Sequence, residues 1–194
     1  MELLKQKILT SGINLGNGIL KVDRFINHQV DPNLMDECGK EFARLFKNVC
    51  ADKILTAEIS GIAPALMAGK YLNLPVVYAR KTKPITMPSE VYITVAPSHT
   101  KGHKTELIVS PEYLGKDEKI LIIDDFLASG ATIAGLVRLA EVAGSKVVGI
   151  GTLIEKTFEG GRALLSPHGV PIHSLVSICS MEDGEIEFTN EYAA

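Results

Sequence analysis

The chain has 194 residues, a formal net charge of −3, and hydrophobic residues make up 46% of it. This length suits one sizeable hydrophobic core, so we expect a single domain over residues 1–194. The slightly acidic balance argues against a protein that binds nucleic acid by neutralising its phosphates. The sequence has no apolar run of membrane-spanning length and no signal-peptide core, which predicts a cytoplasmic protein without a membrane partner.

Helical and strand-like patterns alternate along the chain. Residues 2–11 and 33–50 have the periodicity of amphipathic helices, and Asp31-Pro32 is a helix start signal. The helical face predicted within 33–50 contains Leu34, Cys38, Phe42, Leu45 and Val49. Further on, the predicted strands are 54–57, 75–79, 119–124, 146–154 and 172–178, with helices over 62–72 and 132–143.

These strands are nearly continuous apolar runs without polar alternation, which is typical of a parallel sheet covered by helices on both faces. Ligands of such sheets bind beyond the carboxyl ends of the strands. We expect the three cysteines, Cys38, Cys50 and Cys179, to be small core residues, because their spacing matches no zinc pattern.

Residues 81–113 differ from the rest of the chain. They are rich in proline and include the basic or titratable residues Lys81, Lys83, His99, Lys101, His103 and Lys104. The runs VYITVAP and TELIVSP predict a β-hairpin within this segment. We expect the segment to be a mobile excursion from the core.

The most informative stretch is ILIIDDFLASGAT, residues 120–132. Asp124 and Asp125 follow a buried strand, and a loop of small residues then opens a helix. Free N–H groups at such a helix start bind phosphate, and the carboxylates suit two vicinal hydroxyls or a hydrated Mg²⁺. The pattern therefore fits a ribose 5-phosphate. The alternative interpretation is that the acid pair only solvates the end of the strand and that Ser129 caps the helix.

Three other places at the expected sheet edge have two readings each. Ser60-Gly61 forms either a plain turn or a turn whose N–H groups bind pyrophosphate. The cations of Arg80-Lys81 are either only solvated or neutralise a departing anion. Lys156 either pairs with Glu155 or donates a hydrogen bond to a keto oxygen of a ligand. By pattern alone, Leu20 is a core residue and Asn27 a turn residue.

The stretch 120–132 resembles the 5-phosphoribosyl-1-pyrophosphate (PRPP) signature of the type I phosphoribosyltransferases, departing at Ala131, where a second glycine is common. The resemblance extends over the whole chain. ILKVDRFINHQVDP, SGIAPA, ARK, IIDDFLASG and IEK are most similar to the bacterial members that act on xanthine. The first and last of these are the specific ones.

The resemblance implies an α/β fold with a central parallel sheet flanked by helices, a flexible loop, and a small hood built by residues 1–35 with C-terminal residues. It implies a homodimeric enzyme that uses Mg²⁺ with PRPP and transfers the phosphoribosyl group to xanthine. The implied catalytic residues are Asp124 and Asp125. The implied binding residues are Ala128, Ser129, Gly130, Ala131 and Thr132 for PRPP, Ser60, Gly61, Arg80 and Lys81 for pyrophosphate, and Leu20, Asn27 and Lys156 for xanthine.

Two alternatives stay open at this point. One is a PRPP-binding transcriptional regulator of the same fold, and the other is an enzyme for guanine or hypoxanthine. Lys156 argues against adenine, because an ammonium group only donates hydrogen bonds. Hypoxanthine-guanine relatives carry an aspartate where this chain has Ala128, so the base proton needs another acceptor or an already ionised base.

Overall fold

The computed structural model describes residues 1–97 and 104–189. Its α-helices are α1 (Glu2–Ser11), α2 (Pro32–Leu45), α3 (Ile62–Leu72), α4 (Ala131–Val142) and α5 (Gly161–Leu165). The first five strands are β1 (Ile13–Asn14), β2 (Leu20–Lys21), β3 (Lys53–Ala57), β4 (Val76–Ala79) and β5 (Tyr92–Pro97). The others are β6 (Lys104–Val109), β7 (Lys119–Leu127), β8 (Lys146–Lys156), β9 (Ile172–Ser180) and β10 (Glu187–Phe188).

The central sheet has six strands in the order β10-β9-β8-β7-β3-β4. The five strands from β9 to β4 are parallel to their neighbours, and only β10 pairs antiparallel to its neighbour within the described residues of this sheet. The predicted parallel sheet is therefore confirmed. Because β3, β4, β7 and β8 run parallel to one another, their carboxyl ends lie along one edge of the sheet.

Each face of the sheet is covered by its own hydrophobic cluster. Helices α1, α2 and α3 pack on one face, with Leu4, Phe42 and Ala65 among the buried residues of that cluster. Helices α4 and α5 and the β5–β6 hairpin pack on the other, with Ile133, Leu165 and Leu107 buried there. The sheet interior is thus shielded on both sides, as its continuous apolar strands require.

The hood lies at the N- and C-terminal ends of the described chain. Strands β1 and β2 form a small antiparallel hairpin, which a π-helical turn (Asp23–Asn27) follows. The amide of Asn14 donates to the carbonyls of Met181 (3.0 Å) and Glu185 (3.1 Å) and so joins the two parts of the hood. These short elements were not predicted, because two-residue strands leave no periodic pattern.

Most predicted elements are confirmed, and the differences have simple causes. The helix predicted over 33–50 ends at Leu45, and Val49 packs on the same core from the following turn. Asp31 caps this helix by accepting a hydrogen bond from the N–H of Leu34 at 3.1 Å. The strand predicted to end at Asp124 continues to Leu127, because its neighbour β8 extends to Lys156 and keeps pairing with it.

The prediction of three core cysteines was wrong for two of them. Cys38 is buried on α2, whereas Cys50 and Cys179 are exposed. Cys50 lies after the end of α2 rather than on its apolar face, and Cys179 lies near the end of the outer strand β9.

The hairpin predicted within 81–113 is confirmed, since β5 and β6 pair antiparallel from Tyr92↔Val109 to Pro97↔Lys104. His99, Lys101 and His103 lie outside the described residues. Arg138 of α4 anchors the hairpin by donating to the Thr94 hydroxyl at 3.1 Å and the Val95 carbonyl at 3.0 Å. Across the described ranges, no helix has the length and apolar character needed to cross a membrane.

Helices α2 and α3 approach closely at Gly39. A Cβ added to Gly39 would lie 2.6 Å from the carbonyl carbon of Met67, so the two helices cannot keep their spacing. We expect Gly39→Ala to lower the free energy of unfolding by about 1–3 kcal/mol, although alanine is the better helix former. Thermal unfolding of Gly39→Ala measures this, with Gly115→Ala as control, because a Cβ there meets Glu118 only at 3.5 Å. An unchanged melting temperature for Gly39→Ala would contradict the close packing.

Candidate active site

The loop at 128–132 passes from β7 to the start of α4. Gly130 has φ +79° and precedes the first residue of the helix. Among the described residues, no side chain caps this helix start, so its first N–H groups remain available to a ligand. Residues 128–133 line a cavity of about 210 Å³, here called the loop cavity. This is the geometry expected of a phosphate-binding helix start.

Asp124 and Asp125 form the floor of the loop cavity. They lie within β7 at the centre of the sheet, and Asp124 is only 4% exposed. Burial, followed by repulsion from Asp125, raises the pKa of Asp124 well above its ordinary value. Burial likewise raises the pKa of Asp125. Two carboxylates held this way favour a partner that donates hydrogen bonds or carries positive charge.

The turn after β3 closes the loop cavity from the other side. It contains the cis peptide Glu58-Ile59, then Ser60 and Gly61, and all four residues line the cavity. A Cβ on Gly61 would lie 2.3 Å from the Thr56 hydroxyl and 2.4 Å from a carboxylate oxygen of Asp124. Only glycine allows this turn to approach the acid pair so closely.

Glu58 positions the two cations predicted at the end of β4. Its carboxylate accepts hydrogen bonds from Nε of Arg80 at 2.7 Å and from the backbone N–H of Lys81 at 2.6 Å. Lys81 lines the loop cavity, and its charge acts on both aspartates. Arg80 is tied to Glu58 beside this cavity.

A larger cavity of about 1250 Å³, here called the hood cavity, opens between the sheet edge and the hood. The three residues predicted for a purine, Leu20, Asn27 and Lys156, all line it. Leu20 is nearly buried, and Asn27 is exposed. The hood cavity and the loop cavity share lining residues, namely Lys81, Asp125, Phe126, Ala128 and Thr132.

Lys156 joins the sheet to the hood. Its ammonium donates to the carbonyl of Gly18 at 2.7 Å and to the carboxylate of Glu159 at 3.1 Å. It also lies 5.6 Å from the centroid of the Phe126 ring, within range of a cation–π contact. The donor that the sequence predicted at the end of β8 is therefore aimed at the hood, rather than paired with the neighbouring Glu155.

The structure thus brings every sequence-predicted site residue to one sheet edge. Sequence reasoning missed Glu58, Phe126 and Glu159, which contact or neighbour the predicted ones. An acid just after β3 and an aromatic just after the acid pair were the available signals, but neither residue type alone indicates a site. Glu159 gave no signal, because its contact with Lys156 depends on the turn after β8.

The acid pair at Asp124 and Asp125 fits a Mg²⁺ ion that binds together with a phosphorylated ligand. Within residues 1–97 and 104–189, no cluster of three or more His, Cys, Asp or Glu residues could hold a metal ion. Two buried carboxylates instead leave most of the coordination sphere to waters and to ligand oxygens, as Mg²⁺ prefers.

An uncapped helix start, an acid pair and two joined cavities are the arrangement expected of a site for a phosphorylated ligand, and the chain also resembles known proteins. Residues 31–162 match the family model described as phosphoribosyl transferase domain. The chain belongs to the phosphoribosyltransferase family.

Relatives along the whole chain sharpen this. The chain is similar to a xanthine phosphoribosyltransferase from Listeria innocua, at 48% identity over 98% of this chain and 100% of the relative. It is 47% identical to a protein of the same name from Moorella thermoacetica, over 98% of this chain and 97% of the relative.

Solved structures confirm the predicted fold class. The crystal structure of an adenine phosphoribosyltransferase from Thermoanaerobacter pseudethanolicus matches with a TM-score of 0.74 and 25% identity, covering 90% of this chain and 99% of that one. The enzyme of that name from Rhodothermus marinus matches with a TM-score of 0.73 and 27% identity, covering 91% and 97%.

Because burial raises the pKa of Asp124, ionisation of this carboxyl lowers the free energy of unfolding. As pH rises above about 4, the unfolded chain loses this proton while the folded protein keeps it, so stability falls until the folded pKa is passed. An asparagine amide in place of this carboxyl does not titrate. We therefore expect Asp124→Asn to raise the melting temperature, slightly near pH 4 and more at neutral pH, while abolishing activity.

The control for this experiment is Asp36→Asn. Hydrogen bonds from Lys70, Tyr71 and Lys40 hold the pKa of Asp36 below its usual range. Removal of this charge therefore lowers the melting temperature at neutral pH, which is the opposite of the effect expected for Asp124→Asn. Differential scanning fluorimetry across this pH range measures both variants. A melting temperature of Asp124→Asn that falls as pH rises, relative to the unsubstituted protein, would contradict a buried carboxyl with a raised pKa.

Proposed function

We propose that this chain is a purine salvage enzyme that transfers the 5-phosphoribosyl group of PRPP to xanthine, giving xanthosine 5′-monophosphate and pyrophosphate. One observation supports this above the others. The loop cavity and the hood cavity meet at Asp125, Phe126 and Ala128, so a phosphoribosyl group in one has its anomeric carbon beside a base in the other.

The residues divide among the parts of PRPP. The N–H groups of residues 128–132 bind the 5-phosphate at the start of α4. Asp124 and Asp125 accept hydrogen bonds from the two ribose hydroxyls. Ser60 and Gly61 contact the pyrophosphate through the turn after β3, and Lys81 and Arg80 supply positive charge on that side. Mg²⁺, bound with PRPP, supplies further charge neutralisation to the pyrophosphate.

The reaction breaks the bond between the anomeric carbon and a pyrophosphate oxygen and forms a bond from that carbon to a base nitrogen. Negative charge builds on the leaving pyrophosphate, and Lys81 and Arg80 are the fixed cations that stabilise it. Positive charge builds on the sugar, and the acid pair stabilises that. The protein supplies no nucleophile, so its main contribution is to hold base and sugar in contact.

Base selection belongs to the hood cavity. Lys156 only donates hydrogen bonds, so it favours a base with an oxo group and disfavours an exocyclic amine. Asn27 offers both a donor and an acceptor to the base edges, and Leu20 packs against the ring. Lys156 must give up its contacts with Gly18 and Glu159 to reach the base, so its hydrogen bond to the oxo oxygen has to offset the loss of those contacts.

Ala128 leaves the loop without a carboxylate for the base proton. Since xanthine is more acidic than hypoxanthine or guanine, we propose that it binds in an ionised form. Asp125 is a poor alternative acceptor, because it is engaged with the sugar.

The remaining expectations stay proposals. Residues 1–194 would form one phosphoribosyltransferase domain, acting in the cytoplasm as a homodimer without nucleic-acid or membrane partners. The exposed apolar residues Ile59, Leu66 and Tyr78 lie on or near β3, α3 and β4 and suit burial against a second copy.

A parallel assay of the purified chain with PRPP and Mg²⁺ against xanthine, guanine, hypoxanthine and adenine tests the proposed function. We expect xanthosine 5′-monophosphate and pyrophosphate in equal amounts, a preference for xanthine, and a rate that follows xanthine's own ionisation across pH. A preference for guanine or hypoxanthine would overturn the proposed base selection. PRPP binding without turnover of any base would favour the regulator.

Lys156→Met tests the base pocket separately from the PRPP site. Loss of a charged donor costs about 10- to 100-fold in kcat/KM for xanthine, while the KM for PRPP stays unchanged because residues 128–132 are untouched. Steady-state kinetics measure both constants. Lys21→Met is the control, since Lys21 lies on β2 of the hood with its ammonium exposed and 3.6 Å from Asp23. An equal loss for both substrates would contradict a role specific to the base.

A further inference from the structure

A buried carboxylate lies next to the base-binding end of β8. Glu155 is 1% exposed and directly precedes Lys156. Its two oxygens accept hydrogen bonds from Nε (2.8 Å) and Nη2 (2.5 Å) of Arg162, a two-bond arrangement with a fixed geometry. The Ser174 hydroxyl donates to the same carboxylate at 2.7 Å. The carboxylate is therefore fully paired inside the protein.

Arg162 is in turn held by the neighbouring strand. Its Nη1 donates to the carbonyl of Ile172 at 3.0 Å, so the guanidinium joins Glu155 near the carboxyl end of β8 to the first residue of β9. Glu155 is buried while the Arg162 side chain is 46% exposed, so loss of Arg162 leaves an uncompensated buried charge on Glu155. This fixes the position of α5, the five-residue helix that carries Arg162.

The residue before Arg162 contacts the phosphate loop directly. The N–H of Gly161 donates to the carbonyl of Ala128 at 3.0 Å. A Cβ on Gly161 would lie 2.2 Å from that oxygen and 2.7 Å from the nitrogen of Gly130. Gly130 packs as closely from its side, since its own Cβ would lie 3.0 Å from the Gly161 carbonyl oxygen. Backbone touches backbone here, with no side chain between.

We propose that the Glu155–Arg162 ion pair, here called the clamp, positions the loop at 128–132 for phosphate binding. The clamp fixes α5, and Gly161 then holds the loop through the hydrogen bond to Ala128. Arg162 acts through this contact and not on the substrate, so it is a positioning residue. This inference rests on the proposed function, because it takes the loop to bind the 5-phosphate of PRPP.

Two variants separate positioning from general stability. Arg162→Lys keeps a positive charge beside Glu155 but loses the two-bond geometry and the bond to Ile172. The double variant Glu155→Leu with Arg162→Met removes both charges and replaces them with apolar side chains, so no unpaired charge remains. Arg44→Gln is the control, because Arg44 makes the same two-bond contact with Glu41 on an exposed face of α2.

The readouts are the dissociation constants of ribose 5-phosphate, of PRPP with Mg²⁺, and of pyrophosphate with Mg²⁺, each beside the melting temperature. In both clamp variants we expect ribose 5-phosphate and PRPP to bind about 10- to 100-fold more weakly. Pyrophosphate alone binds as before, since its proposed contacts, Ser60 and Gly61, belong to the turn after β3 and not to the loop that Gly161 holds. The double variant keeps a melting temperature close to that of the unsubstituted chain, and Arg44→Gln changes none of the dissociation constants.

Two results would overturn the clamp. One is unchanged ribose 5-phosphate binding in the folded double variant, and the other is an equal loss of pyrophosphate binding, which indicates a general disturbance. Both differ from failure of the proposed function itself, in which the unsubstituted chain binds neither ribose 5-phosphate nor PRPP.

Discussion

The placement of two adjacent carboxyl groups in a central strand of the sheet is the constraint on which the rest of the site depends. Asp124 is buried in β7 between two apolar layers and Asp125 beside it is partly buried, so charge there is costly. Every neighbouring feature fits around them. Gly61 lacks a Cβ because the acid pair fills that space, and the turn after β3 can therefore close over it. A fold can retain such unfavourable burial of charge where the free energy of ligand binding offsets it.

The second level of organisation is the use of backbone rather than side chains to shape the phosphate loop. Contacts between Gly130, Gly161 and the carbonyl of Ala128 are too close for any Cβ. The loop therefore has little conformational freedom once α5 is in place. Its preorganised N–H groups can bind an anion with little further loss of conformational entropy. The Glu155–Arg162 pair extends the same logic into the core, where it links the loop to the strand that carries Lys156.

Fold and base selection are separate properties of this protein. Its sheet and helices match adenine phosphoribosyltransferases with TM-scores above 0.7, whereas relatives along the full chain are xanthine phosphoribosyltransferases. The fold alone therefore does not set base selection. In the function proposed above, the groups that select the base are Asn27 of the hood and Lys156 at the end of β8, both of which line the hood cavity.

Patterns in the sequence were enough to predict the parallel sheet, the order of its helices and the location of the loop at 128–132. Apolar runs, helical periodicity and the pattern of acids and small residues at 120–132 are local signals, and local signals survive without a structure. Resemblance to the family added the roles of Leu20 and Asn27, for which the sequence pattern alone indicated only a core residue and a turn residue.

How the residues of the site contact one another depends on the tertiary structure and could not be predicted from the sequence. Glu58 holds Arg80 and Lys81, and Phe126 and Glu159 adjoin Lys156, through contacts that join distant or irregular segments. Strand β7 continues past the acid pair because pairing with β8, rather than its own residues, sets its length. Burial of Asp124, exposure of Cys179 and the Glu155–Arg162 pair likewise depend on neighbours far along the chain, which no local pattern encodes.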